Sequence, residues 1–178
     1  SNDLDGNPRP NPAGTAPDMG AYESDKGVDP NYAGPVWYVD GPAGLPYGNG
    51  GPGAPFYTIT QGIAAASSGD TVSVAAATYV ETINFNGKNI AVIGEDRATT
   101  IIDGNQDGRV VSFLNGETSA AYISGFTIRN GLGGVTISNA SPALHELAIT
   151  DNITDAIDRD GGGVSIINSN TTLTNITI

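Results

Sequence analysis

One short apolar pattern recurs through the second half of this 178-residue chain. The pattern apolar–x–x–apolar–x–apolar occurs at residues 123–128, 144–149 and 173–178, with offsets of 21 and 29 residues. The 29-residue step recurs between residues 134–139 and 163–168, which share a Gly-Val-x-Ile-x-Asn pattern. Matching patterns at matched offsets are typical of a solenoid, in which each repeat stacks on the one before.

From residue 71 onward, short stretches of period two alternate with turn residues such as Asn-Gly and Asp-Gly. Many short strands at even spacing indicate a β-sandwich, a barrel or a solenoid. A step of 21–29 residues with two or three strands corresponds to one turn of a parallel β-helix, whose turns stack about 4.8 Å apart. A β-sandwich stays open as the alternative. We therefore predict an all-β chain in which residues 71–178 form parallel β-helix turns, with Asn139 and Asn168 in one amide ladder.

The composition changes near residue 56, because ten of the eleven prolines lie at or before Pro55. Residues 1–35 are rich in proline and glycine, which predicts an extended tail or inter-unit connector. Residues 36–70 are predicted to form a cap, with a strand over 35–40, a turn-rich loop and one helix over 55–68.

The predicted helix has a plausible N-cap and a narrow apolar face. Thr58 is the predicted N-cap, and Ile59, Ile63 and Ala66 fall on one side at helical spacing. Gly69 is expected to end the helix. A helix with so narrow an apolar face is expected to cover the end of the solenoid rather than stand alone.

Charge and composition exclude several classes of protein. With 7 basic and 19 acidic residues the net charge is −12, so the chain would repel a nucleic-acid backbone. The chain has no cysteine and one histidine, which excludes disulfides, thiolate nucleophiles and multi-histidine metal sites. No apolar run reaches the length of a membrane span. The chain begins at Ser1 without a signal segment, so we expect a mature or excised form.

The motifs GDTV at residues 69–72 and TYVETI at residues 78–83 carry a family resemblance. From about residue 37 to 178 the chain resembles the right-handed parallel β-helix, or pectate-lyase-like, superfamily, and above all secreted bacterial β-helix repeat domains. In that family the helix before GDTV covers the N-terminal mouth and TYVETI enters the first turns. The resemblance implies a right-handed β-helix with a short N-terminal capping helix, in a bacterial protein outside the cell or on its surface.

The opening segment resembles the tail that normally follows the last turn of such a domain, while the sequence given stops within a strand. An open β-helix end is a bare sheet edge. We therefore expect copies of this chain to stack head to tail, as a structural module of a fibre, matrix or adhesin stalk. A tail that folds back on its own β-helix is the alternative. The candidate interface residues are Asp3, Asp5, Tyr22, Tyr32, Tyr47, Leu173, Ile176 and Ile178.

A polysaccharide-binding or polysaccharide-cleaving domain is the second functional hypothesis. The resemblance implies either a Ca²⁺ carboxylate cluster with an Arg or Lys base, or paired Asp residues with Gly-His-Gly. The sequence matches neither pattern, and its single histidine, His145, is predicted to face solvent. We assign no catalytic residue. The remaining acid–base candidates are Asp155, Asp158, Arg159 and Asp160 in one loop.

Calcium is the cofactor that the sequence favours. Two loops carry carboxylate and amide oxygens at short spacing, as flexible Ca²⁺ loops do, although neither has the closing Glu of the twelve-residue loop. The candidate ligands are Asp155, Asp158 and Asp160 in one loop, and Asp103, Asn105 and Asp107 in the other.

Seven of the twelve aromatic residues lie between residues 22 and 57. Such a cluster could stack on sugars or anchor a neighbouring subunit. Trp37 and Phe56 are predicted instead to fill the cap over the β-helix mouth.

Overall fold

The structure, a computed structural model, describes residues 32–44, 47–154 and 162–178. All pairings between its strands are parallel, within one eight-stranded and one four-stranded sheet. The elements are β1 (Val36–Val39), α1 (Ile59–Ala65), β2 (Thr71–Val74), β3 (Thr78–Val80), β4 (Ile83–Asn84), β5 (Ala91–Gly94), β6 (Ile101–Asp103), β7 (Val111–Phe113), β8 (Tyr122–Arg129), β9 (Val135–Ser138), β10 (Ala143–Thr150), β11 (Val164–Ile167) and β12 (Thr172–Thr177).

The strand order is that of a parallel β-helix. The main path of the larger sheet runs β1-β2-β5-β8-β10-β12, and the smaller sheet runs β4-β7-β9-β11. Successive circuits of the chain, here called coils, therefore visit both sheets and stack along one axis. The first coil holds β2–β4, the second β5–β7, the third β8 and β9, and the fourth β10 and β11. An antiparallel sandwich, the alternative from the sequence, is wrong.

The register confirms the repeat read from the sequence. Ile123 pairs with Leu144, which pairs in turn with Leu173. In the smaller sheet Ile137 pairs with Ile166, as the second repeated motif predicts. These pairings realise the 21- and 29-residue steps.

Left-handed residues bend the long strands of the later coils. The first half of β8 pairs with β5 and the second half with β6, so one strand does the work of two. Gly125, Glu146 and Asn175 occupy matching positions in β8, β10 and β12, with φ values of 79°, 47° and 54°. A residue in the left-handed region turns the chain sharply, so this row forms a corner of the β-helix.

Aliphatic side chains in register fill the interior. Val72, Val92, Ile123 and Leu144 are aligned across four coils and each is 0% exposed. On the other sheet the Phe85 and Phe113 rings lie 4.2 Å apart between centroids. Burying each such side chain stabilises the fold by roughly 1.5–3 kcal/mol.

The predicted amide ladder is present at the far end of the smaller sheet. Asn168 Nδ2 donates to Asn139 Oδ1 at 3.4 Å. Both residues have positive φ, 51° and 52°, which Asn tolerates better than most residues.

Helix α1 is shorter than the predicted 55–68 but has the predicted N-cap. Thr58 and Gln61 form a capping box, and the helix ends before Ala66. Phe56 does not join the helix, because it forms a parallel bridge to Val39. Ile59 is fully buried in the core, and the helix contacts β1, β2 and β4. The helix therefore covers the first coil, as expected.

Two charged side chains of the first coil hold the two ends of α1. The Glu81 carboxylate accepts the Ile59 and Thr60 backbone N–H groups at 2.8 and 3.0 Å. Lys88 Nζ donates to the carbonyls of Ile63, Ala64 and Ala66 at 2.7, 2.9 and 2.7 Å. Each charge complements the partial charge of the helix end that it contacts.

Aromatic rings complete the cap, as predicted for Trp37 and Phe56. Their centroids lie 6.1 Å apart, and the Tyr32 ring meets Trp37 edge-on at 5.6 Å. Trp37 Nε1 donates to Asp70 at 2.9 Å, and the Tyr32 hydroxyl donates to the Val36 carbonyl. Within the described residues, no helix has the length and apolar character to cross a membrane.

Candidate functional site

The outward face of β3, β6 and the second half of β8 carries the candidate site. Val80, Asp103 and Arg129 are aligned partners in successive coils. Their chain neighbours Ile102 and Ile128 are 0% exposed. Because strand side chains alternate between faces, the three aligned residues point outward.

Two cavities line up along this face and share Val80 and Glu81. The first, of about 430 Å³, extends from the cap to the first coil. The second, of about 110 Å³, extends from the first coil to the second. We call the pair the axial groove. Its polar and aromatic lining includes Tyr57, Thr58, Thr78, Glu81, Asn105 and Asp107.

The axial groove offers exposed apolar surface beside hydrogen-bonding groups. Tyr57 is 52% exposed and Val80 is 66% exposed. Hydroxyl groups of Thr58 and Thr78 and the amide of Asn105 lie in the same lining. This combination fits a ligand with both an apolar face and hydroxyl groups.

Tyr79 makes a fixed floor for the first cavity. Its side chain is 4% exposed, and its hydroxyl donates to the Ala75 carbonyl at 2.9 Å. The same hydroxyl accepts the Gly41 N–H at 3.2 Å, which ties the loop after β1 to the first coil. Burial raises the pKa of Tyr79 above its ordinary value. The phenol therefore stays neutral and acts as a structural group at this site.

The carboxylate of Glu81 is already engaged by the cap. Besides the two helix N–H groups, it accepts the Thr60 hydroxyl at 2.6 Å. A carboxylate with three donors in place positions the helix, and it has little capacity left to exchange protons with a substrate.

Asp103 is engaged in the same way by the third coil. It accepts Asn130 Nδ2 at 2.8 Å, the Asn105 N–H at 3.0 Å and Arg129 Nε at 3.0 Å. Burial opposes ionisation of this carboxyl, but the hydrogen bonds from Asn130, the Asn105 backbone and Arg129 together lower the pKa of Asp103. Asp103 is therefore ionised at neutral pH and links two coils.

The calcium hypothesis stays a prediction for both loops. Asp103 and Asn105 form one local turn, and Asp107 lies in the second cavity. In the described part of the chain, no three His, Cys, Asp or Glu residues cluster as a metal site would require. The ligand candidates Asp155, Asp158 and Asp160, with Arg159, lie outside the described residues.

A second groove, of about 400 Å³, lies where the long strands bend, and we call it the corner groove. Glu95, Arg97, Glu146 and Asn175 belong to its lining. Arg97 Nη1 is buried there without a hydrogen-bond partner. Glu95 is engaged, because it accepts the Ala76 N–H at 3.1 Å.

His145 is only partly consistent with its predicted exposure. It is half-buried, and its ring lies edge-on to the Tyr122 ring, with centroids 5.9 Å apart. The two residues are offset by one position across neighbouring coils, so the ring covers the outer face of the sheet.

The predicted interface residues fall into two groups. Asp3, Asp5 and Tyr22 lie outside the described residues. The others are described: Tyr32 belongs to the cap, Tyr47 is 98% exposed, Leu173 is 44% exposed, Ile176 packs against the core and Ile178 is 72% exposed. Head-to-tail stacking stays a prediction, since the segment expected to join two units falls in residues 1–31.

Sequence reasoning did not identify the axial groove, although part of its signal was present. Alternation within TYVETI places Tyr79 inside and Val80 outside, so an exposed valine there was a clue. Tyr57 stood in the aromatic cluster without a separate role. The grouping of Tyr57 with Asp107 depends on how three coils stack, which no local pattern shows.

Comparison with known proteins supports the fold. No protein-family model matches the chain, and no curated protein matches it. Among solved structures it is similar to a pectin methylesterase mutant in complex with a hexasaccharide, with a TM-score of 0.58 and 11% identity. The match covers 79% of this chain and 48% of the esterase, so the chain spans about half the length of that enzyme. At this identity the likeness shows the shared β-helix fold alone.

Proposed function

We propose that this parallel β-helix is an extracellular polysaccharide-binding domain and that the axial groove holds the polymer. The observation that carries the proposal is the exposed Tyr57 ring beside a row of hydroxyl, amide and carboxylate groups. A sugar ring has an apolar C–H face and a polar edge, which match an aromatic surface flanked by hydrogen-bonding groups.

The direction of the axial groove supports a polymeric ligand. The groove runs from the cap across the first two coils, and coils stack at about 4.8 Å. A surface that extends along the stacking axis contacts a long ligand at several successive units, as other repeat proteins do with their extended surfaces.

Binding is favoured over cleavage by the state of the carboxylates. Glu81 and Asp103 each accept three hydrogen bonds from the protein itself. Glycoside cleavage by two carboxyl groups requires one of them to be protonated and the other ionised. Asp103 has a lowered pKa, which is unsuitable for a general acid. The fold neighbour, solved with a hexasaccharide, agrees with a carbohydrate ligand.

Replacement of Tyr57 tests the proposal. We expect Tyr57→Ala to weaken binding by about tenfold or more, because central aromatic contacts dominate such interfaces. Affinity electrophoresis through gels with glucomannan, xyloglucan, arabinoxylan, methyl-esterified galacturonan, polygalacturonate or alginate measures the retention.

The matched control is Tyr47→Ala, which removes a tyrosine that is 98% exposed and outside the axial groove. This variant should be retained like the unaltered protein. Equal loss in both variants, or no retention of the unaltered protein in any gel, would contradict the proposal.

A further inference from the structure

The charges around the axial groove restrict its ligand. Its lining contains the carboxylates of Glu81 and Asp107, and neither cavity is lined by Lys or Arg. The nearest cation in the aligned column, Arg129, is paired with Asp103 at 3.0 Å.

The other described basic side chains are committed elsewhere. Lys88 donates to three carbonyls at the end of α1. Arg97 lines the corner groove, and Arg109 has a partner of its own. Among the residues that the structure describes, the axial groove therefore has no basic group to meet an anionic sugar.

From this distribution we infer that the axial groove selects electrically neutral polysaccharides and excludes polyuronates; the inference rests on the proposed function. A polyuronate would bring carboxylates against Glu81 and Asp107 on a chain whose net charge is −12. Like charges across an interface cost free energy and slow encounter. The acidic polymers handled by many β-helix proteins are therefore poor ligands here.

Neutral sugars are complementary to the same groups. Carboxylates accept hydrogen bonds and cannot donate them when ionised. A sugar hydroxyl donates to a carboxylate such as Asp107, and these charge-assisted bonds are the stronger kind. The C–H face of the same sugar covers the exposed Tyr57 and Val80 side chains.

A comparison of neutral and oxidised forms of one polymer tests the inference. The best-retaining neutral polysaccharide is converted at its primary hydroxyls to carboxylates, and both forms are compared by affinity electrophoresis. We expect the oxidised form to bind about tenfold more weakly at low salt. The difference should shrink as NaCl rises, because salt screens the repulsion.

The outcomes separate this inference from the proposed function. Retention by neutral polymers but not by polygalacturonate or alginate is the expected result. Equal or stronger retention by the two acidic polymers overturns the neutral selectivity and leaves polysaccharide binding intact. No retention in any gel overturns both.

A charge-reversal pair provides an independent readout. Asp107→Lys places a cation in the second cavity and should create measurable retention by polygalacturonate. Glu146→Lys changes the net charge equally but lies in the corner groove, so it should not. An equal gain in both variants would attribute the effect to net charge and would overturn the local selectivity.

Discussion

The corner residues of the long strands show how one position controls the path of the chain. Gly125, Glu146 and Asn175 adopt the left-handed conformation at matching places. Gly carries no Cβ, and Asn tolerates this region, but Glu has neither advantage. Glu146 therefore holds a conformation that its side chain disfavours, in a half-open corner groove.

Replacing Glu146 by the residue found one coil later should relieve this cost. We expect Glu146→Asn to raise the free energy of unfolding by about 0.5–1 kcal/mol, measured by denaturant unfolding. The opposite change is Gly125→Ala, whose added Cβ would lie 2.4 Å from the Gly94 carbonyl oxygen. That variant should be destabilised. A loss of stability in Glu146→Asn would contradict the conformational argument.

At the scale of elements, the capping helix depends on the first coil more than on its own sequence. It has seven residues, which is too short to be stable alone in water. Glu81 and Lys88, from positions more than 20 residues after it in sequence, bind its two ends. Helix and first coil should therefore form and open together.

Removing the charge at the C-terminal end of the helix should loosen the cap. We expect Lys88→Met to lower the free energy of unfolding by about 2–3 kcal/mol, because three carbonyls lose a charged donor. Amide hydrogen exchange in α1 should accelerate more than in β8. Lys88→Arg keeps the donors and should be milder; equal exchange rates in α1 of Lys88→Met and the unaltered protein would refute the role.

Local signals predicted some elements well and missed others for a physical reason. The register of Ile123, Leu144 and Leu173 was predictable, because stacked coils repeat their inward residues. The N-cap at Thr58 was also visible. The helix start near Pro55 was wrong, because Phe56 is claimed by Val39 from another segment. The axial groove was missed because its parts come from coils that the sequence does not place side by side.

For the whole molecule, cohesion between coils depends in part on ionised carboxylates. Asp103 joins the second coil to the third through Arg129 and Asn130. Asp70 joins the first coil to the cap, where it accepts Trp37 Nε1. Hydrogen bonds from the Ser67 backbone and from Trp37 lower the pKa of Asp70. Both groups therefore bind the stack in their charged form.

Acid should weaken the stack. Because the folded pKa values of Asp70 and Asp103 are lowered from 3.8, their contribution is complete above the unfolded value. It is lost as pH falls through the folded values. Denaturant unfolding from pH 7 to pH 2 measures this loss. Asp103→Asn should be less stable than the unaltered protein at pH 7, and the gap should narrow in acid. An unchanged gap would contradict the assignment to Asp103.

The spacing of the coils leaves the chain length between them unconstrained. Ala91 and Tyr122 are paired neighbours 31 residues apart, whereas Tyr122 and Ala143 are paired neighbours 21 residues apart. Ten additional residues thus pass between two adjacent strands without displacing the ladder. Insertions and deletions at such places alter the exterior and spare the interior, so a lineage of these proteins can diversify its outer loops while its hydrogen-bonded framework is inherited intact.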